Sequence, residues 1–317
     1  MRQGLLFLII LSFLFSCNNS TKKEVDKNQK GGEFKNEFAF KDVSGIRFYE
    51  VKRRFKNGLS FNKDGFQQEP SWIIEVKAPD SIMVYSPPKN TMETVYLQFD
   101  HDKVYNFMRE FFRVKIVTKD SLILQRLHVE GKIIAGDEDY RSEVYCTYYS
   151  KDYIEKELQT TVGALQKPSK ADSLFIAKLA QRTFKDPANA KFAFAARQPA
   201  VLLPNSKNVT AQKISTIDYL NKRNTSVDYL YPVYRLHINK SYKDFNFSFS
   251  VIVDAWGQLH VNRIDGVMEE DLKYRKKLLD GITSVYLQNL FVIKPGTTLG
   301  MKHSSEVSLQ VSGKMSP

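Results

Sequence analysis

The sequence predicts an α+β protein: a β-rich N-terminal domain, formed as an antiparallel meander or small barrel, followed by a smaller ββαβ domain. Three observations lead there. Residues 37–165 alternate short apolar runs with Asp, Ser, Gly and Pro punctuation, the pattern of antiparallel strands joined by tight turns. Helical spacing is confined to two later segments, near 172–184 and 269–286. The 22 Phe and 16 Tyr suit pleated, half-buried surfaces. A chain of 317 residues has room for about two domains of roughly 100–200 residues each.

The first half reads as strands at Trp72–Val76, Ser81–Tyr85, Thr94–Phe99, Val104–Phe107, Phe112–Val117, Leu122–Leu127 and Val144–Tyr149. Asp100–Lys103 and Thr118–Ser121 are polar turns between them. Pro168 breaks the pattern, and Asp172 caps a helix that runs to about Phe184 and stops at Asp186-Pro187. Residues 188–230, with Pro199, Pro204 and several Asn, read as an irregular connector. The expected organisation is a processed segment 1–16, a polar tether 17–36, a β-rich domain 37–165, a basic helix and connector 166–230, and a C-terminal domain 231–317.

In the last of these, Phe245–Val253 alternates as a strand and Asp254–Gln258 turns it. Gly257 supplies the positive φ that such a turn favours. Leu259–Arg263 returns, and Glu269 to about Tyr286 is helical, with Leu272, Leu279, Ile282 and Val285 among its apolar positions. Phe291–Gly296 and Gly300 lead into the alternating strand Ser305–Val311. The order strand, Val-Asp-x-x-Gly, strand, helix, Lys-Pro-Gly-x-x-x-Gly, strand resembles the C-terminal domain of TonB-like proteins over residues 231–313, although Ile293 stands where that family usually has Trp. The resemblance implies a fold and a mode of binding rather than energy transduction. In the first half, the run from Lys119 to Leu122 between two strands faintly resembles lipocalin-like bacterial lipoproteins.

The N-terminus carries an address. Leu5–Phe15 is an apolar run of 11 residues after a short basic start, too short for a bilayer-spanning helix of about 20 residues and the right length for a signal-peptide core. Ser16-Cys17 at its end resembles a bacterial lipobox, with Phe15 where a smaller residue is usual. The resemblance implies acylation of Cys17 and a chain lipid-anchored in the bacterial cell envelope, at the outer membrane. The other reading is an ordinary signal peptide with a chance cysteine. The second cysteine, Cys146, lies in a β-like run and reads as a buried thiol.

No arrangement of residues points to catalysis. The histidines at 101, 128, 237, 260 and 303 include no i, i+4 pair, and there is no G-x-S-x-G, Walker or G-x-G-x-x-G motif. Asp100-His101-Asp102 and Asp137-Glu138-Asp139 read as polar turns rather than cation sites. The expectation is therefore a non-enzymatic protein with no metal and no cofactor.

Three Asp-Ser-aliphatic triplets, starting at Asp80, Asp120 and Asp172, resemble O-glycosylation acceptors of Bacteroidetes envelope proteins, and each also suits a turn or helix start.

Charge is more informative. The chain carries a net +12, and residues 167–223 hold eleven Lys/Arg against three Asp and no Glu. An anionic surface is the matching partner, with Lys178, Arg182, Lys185 and Lys191 as the candidate contacts. A solvated basic face is the alternative, and nucleic acid does not suit an exported chain. The expected function is that of an envelope adaptor or scaffold which adds a partner peptide to an open sheet edge. The candidate edge is the last strand, with Ser305, Val307, Leu309 and Val311. The alternative is a carrier with a small hydrophobic ligand inside the N-terminal β domain.

Overall fold

The computed structural model describes residues 40–77, 79–136, 139–218 and 224–315. The signal segment, Cys17 and the tether lie outside the described residues, as do Asp137 and Glu138. The chain is mostly β, with 43% strand against 22% helix.

Eight extended segments run consecutively through the first half: β1 (Arg47–Phe55), β2 (Ile73–Lys77), β3 (Ser81–Ser86), β4 (Thr91–Tyr96), β5 (Gln98–His101), β6 (Val104–Phe107), β7 (Glu110–Val117) and β8 (Ser121–Leu127). A ninth, β9 (Val144–Ser150), follows a short excursion. They form one antiparallel sheet in the order β4-β3-β2-β1-β9-β8-β7-β6-β5. Its two outer strands, β4 and β5, are consecutive in the chain and meet at Leu97. This single bent strand pairs with β3 through its first half and with β6 through its second, so the sheet nearly closes into a barrel.

Period-2 alternation sends one set of side chains inward. Phe48, Ile74, Ile82, Phe112, Leu122 and Tyr148 are among those that fill the interior. A bulge in β1 between Glu50 and Lys52 brings Arg53 opposite Cys146. Glu50, fully buried, accepts from Arg53 Nε and Nη2 at 2.7 and 3.0 Å and from the Ser71 and Trp72 amides at 2.8 and 2.9 Å. This buried charge is therefore both paired and hydrogen-bonded, the condition for its tolerance inside a barrel.

The helix expected from Asp172 begins slightly earlier, as α1 (Lys170–Lys185), with Ser169 at the N-cap and Asp172 closing a capping box. Asp172 also ties the barrel down. Its fully buried carboxylate accepts the Ser60 amide at 2.7 Å, from the β1–β2 loop. The same loop inserts Phe61 among Ile176, Leu179 and Phe194. Gly65, at φ +86°, lets the loop approach the backbone of residue 195 so closely that an added Cβ would lie 2.3 Å from the Ala195 carbonyl oxygen.

Residues 188–230 depart from the expected irregular connector. They contribute β10 (Val201–Pro204) and β11 (Val209–Ile214). β11 is continued by β12 (Val233–Asn239), β13 (Phe245–Val253), β14 (Leu259–Ile264), helix α2 (Glu269–Gly281), β15 (Phe291–Lys294) and β16 (Ser305–Lys314). The C-terminal sheet has the order β11-β12-β16-β13-β14, while β10 and β15 form a separate ribbon. The expected ββαβ order is present in β13, β14, α2 and β16, but the supposed connector supplies an outer strand of the same sheet. Residues 37–317 accordingly form one compact unit.

The last strand also differs from expectation. β16 lies in the middle of the sheet, parallel to β12 on one side and antiparallel to β13 on the other. Ser305, Val307, Leu309 and Val311 are buried and cannot form a free edge. The strict alternation that marked this strand reflects a face packed into the core, with Val251, Leu236 and Phe291 among its neighbours there. In α2, Leu279 is buried as expected, as is Ile282 just beyond it, whereas Leu272 and Val285 are exposed.

Candidate functional site

The true edges of the C-terminal sheet are β11 and β14. On β14 the Leu259 amide is taken up by Gln288 Oε1 at 3.3 Å. β11 is more open. The Asn239 amide donates to the Asn208 carbonyl at 2.7 Å, which sets the phase of the β11–β12 ladder. Residues 210, 212 and 214 therefore face β12 with their backbone groups, and those of Ala211 and Lys213 face outward. Among the described residues none hydrogen-bonds the outward backbone of Ala211.

Beside this edge lies a cleft of about 580 Å³, lined by Gln67 and Glu69 from the β1–β2 loop, Arg197–Pro199, Val201, Lys213, Asn224–Ser226, Asp228, Tyr229 and Tyr234. Arg197 organises one wall. Its Nε donates to Gln67 Oε1 at 3.0 Å, its Nη2 pairs with Glu69, and its guanidinium lies 4.5 Å over the Tyr229 ring. The Tyr229 hydroxyl in turn accepts the Gln67 amide at 3.0 Å. Asp228 organises the other wall, taking bonds from Lys213 Nζ, the Thr216 amide and Asn224 Nδ2. Burial opposes ionisation of Asp228, but the Lys213 ammonium and the Thr216 amide outweigh it and hold the carboxyl below its usual range. Burial, together with the Asp228 charge, pushes the Tyr234 hydroxyl up to about 12, and that hydroxyl donates to the Ala200 carbonyl. With its charges already paired and its phenols protonated, the cleft presents amides, hydroxyls and aromatic faces rather than an activated nucleophile.

Lys178, Arg182, Lys185 and Lys191 are all exposed, the first three on α1 and the fourth just beyond it. Asp100 and His101 end β5, with His101 Nδ1 on Asp100, and the turn itself is Asp102-Lys103, with Asp102 at φ +45°. Cys146 is buried, and burial together with Glu50 pushes its thiol up to about 12. Among the described residues no three His, Cys, Asp or Glu side chains are grouped to hold a metal ion, and no helix is long and apolar enough to cross a membrane. The cleft itself escaped the sequence reading. Glu69 and Arg197 are 128 residues apart, and neither belongs to a local motif.

No protein-family model matches the chain, and no curated protein or solved structure is significantly similar to it. The functional reading therefore stands on the geometry of the edge and its cleft.

Proposed function

We propose that this chain is a lipid-anchored, non-enzymatic adaptor of the bacterial cell envelope, which takes up an extended segment of a partner protein as an added strand on β11. The observation that carries the reading is the outward-facing, unclaimed backbone of Ala211 beside the cleft. An added strand gains affinity from main-chain hydrogen bonds and specificity from pockets for alternate side chains. The cleft next to Lys213 is such a pocket. The TonB-like resemblance supports the same mode of binding, and the β13-β14-α2-β16 order agrees with it. The barrel interior is occupied by packed side chains, so a carrier of hydrophobic ligands draws no support from it.

A photo-crosslinking residue at Gln212, exposed on β11, tests the reading in intact cells. A discrete adduct is expected there, absent when the same residue replaces Asn262 on β14. Ala211→Pro removes the outward N–H at a position where an edge strand tolerates proline, and should abolish the adduct without unfolding the protein. An adduct that survives Ala211→Pro overturns the reading.

A further inference from the structure

Helix α1 buries Ile176, Leu179, Ala180 and Thr183 and turns its other side outward. That outer side carries Leu174, Lys178, Arg182 and Lys185, with Leu174 63% exposed. Leu174, Lys178 and Lys185, spaced by four and seven residues, form one stripe. Lys191 follows the helix and is also exposed.

Among the described residues none of these four cations has an ion-pair partner, a state shared with exposed lysines elsewhere such as Lys119, Lys273 and Lys277, and Arg182 lies 5.3 Å over the Phe192 ring. The one carboxylate within the helix, Asp172, is buried. Asp186, at the C-cap, is engaged by Asn189 Nδ2 at 2.9 Å.

An aromatic pair borders the same helix. The rings of Phe184 and Trp256 lie 5.8 Å apart, and these residues are 45% and 63% exposed. Trp256 is held out by a rigid turn. Asp254 Oδ1 accepts the Trp256 and Gln258 amides, each at 2.9 Å, and the Asp254 carbonyl accepts the Gly257 amide at 3.0 Å. The pair packs on itself between α1 and the β13–β14 turn, yet leaves much of both rings open to solvent.

We infer that the outer side of α1, with the Phe184–Trp256 pair, is a docking surface for an anionic lipid bilayer. Unpaired lysines on flexible stems act as diffuse point charges, which suits a fluid array of headgroups better than the fixed carboxylates of a protein partner. Trp is the residue favoured at the headgroup boundary, where its ring is half in apolar surroundings and its N–H stays wet. The surface differs from the β11 edge and does not rest on the adaptor reading.

The test uses residues 37–317, the compact unit described above, mixed with vesicles of phosphatidylcholine alone or containing phosphatidylglycerol. The chain has two tryptophans, and Trp72 packs in the barrel, so an emission shift on binding reports Trp256. A blue shift and co-sedimentation are expected with the anionic vesicles only, both reversed by salt. Replacing Lys178, Arg182, Lys185 and Lys191 with Gln should weaken binding at least about tenfold, since each cation near the surface counts several-fold. The same change at Lys89, Lys119, Lys151 and Lys156, which lowers net charge equally, should leave binding nearly intact. Trp256→Phe should abolish the shift, and thermal melting checks that every variant is folded. Equal loss from both sets of substitutions, equal binding to neutral vesicles, or no blue shift overturns the inference. Binding to soluble polyaspartate without binding to vesicles overturns it too, and points instead to an acidic protein.

Discussion

The Phe194 ring lies flat on His303, with centroids 3.6 Å apart and planes 8° from parallel. His303 is fully buried, its Nδ1 on the Ser304 carbonyl at 3.1 Å and its Nε2 on the Thr298 hydroxyl at 3.0 Å. With Nδ1 donating and Nε2 accepting, both bonds are satisfied by the neutral ring. The stack thereby joins the segment after α1 to the start of β16.

Burial pushes the His303 imidazole down to about 4 from its ordinary 6.5, against a smaller opposing effect of the Ser304 carbonyl. The folded-state pKa is thus below the unfolded one, so the unfolded chain binds the proton first as pH falls. The stability of the neutral stack is fully present above about pH 6.5 and is lost progressively down to about pH 4. The gap corresponds to a loss of about 3 kcal/mol. His303→Gln should remove this part of the pH dependence while lowering stability at neutral pH. Urea unfolding of both proteins across that window checks it, and parallel pH profiles would refute it.

Two glycines make backbone approaches that no other residue permits. An added Cβ on Gly257, at φ +85°, would sit 2.5 Å from the Ile293 carbonyl oxygen, just as one on Gly65 would meet Ala195. Gly257→Val should cost well over 1 kcal/mol, from the positive φ alone and then the clash. Gly65→Ala should cost at least as much, because the atoms it meets are main chain. Gly58, also at positive φ but with open space around it, is the control. Gly58→Ala should cost no more than the conformational part, as read from shifts in melting midpoint.

Much of the barrel was legible because period-2 alternation is a local signal, and Ile82-Val84 or Leu122-Leu124 show their inward face without reference to a partner. Strand order is not local. Ser305–Lys314 alternates just as an edge strand would, and only its pairing with both Val233–Asn239 and Phe245–Val253 makes it central. Val209–Ile214 was missed for the opposite reason. Its Thr210, Gln212 and Lys213 give a weak apolar pattern, and Pro199 and Pro204 nearby suggested a loop. Such composition is what an exposed edge carries. The cleft was the least legible, since Arg197 registered only as one charge of a basic segment. Its meaning comes from Glu69 and Tyr229, which folding alone brings to it.

Cys17 lies outside the described residues, and its role rests on the sequence. Acylation predicts that Cys17→Ser abolishes incorporation of labelled palmitate and leaves uncleaved precursor. Labelling that persists in this variant would show that the lipid, if any, is attached elsewhere, with Cys146 too deeply buried to accept it in the folded state.

The last prediction concerns that second thiol. Burial, reinforced by Glu50, holds Cys146 protonated far above neutral pH, and its position inside the barrel denies reagents access. In residues 37–317 it is the sole cysteine, so thiol labelling reads the opening of the barrel directly. The native protein should resist a disulfide reagent at neutral pH and react at a rate set by unfolding. Glu50 is the residue to change. Its carboxylate neutralises Arg53 and satisfies two amides of the β1–β2 connection, so Glu50→Ala strands a half-buried guanidinium and two donors at once. Truncating one partner of such a pair costs about 3–5 kcal/mol. A gain in labelling rate on the order of a hundredfold or more should follow where opening is at equilibrium. Arg53→Met removes the other charge but leaves Glu50 with its two amide donors, so it should accelerate labelling less. Equal rates in the parent and Glu50→Ala proteins would mean that the barrel does not depend on this buried pair.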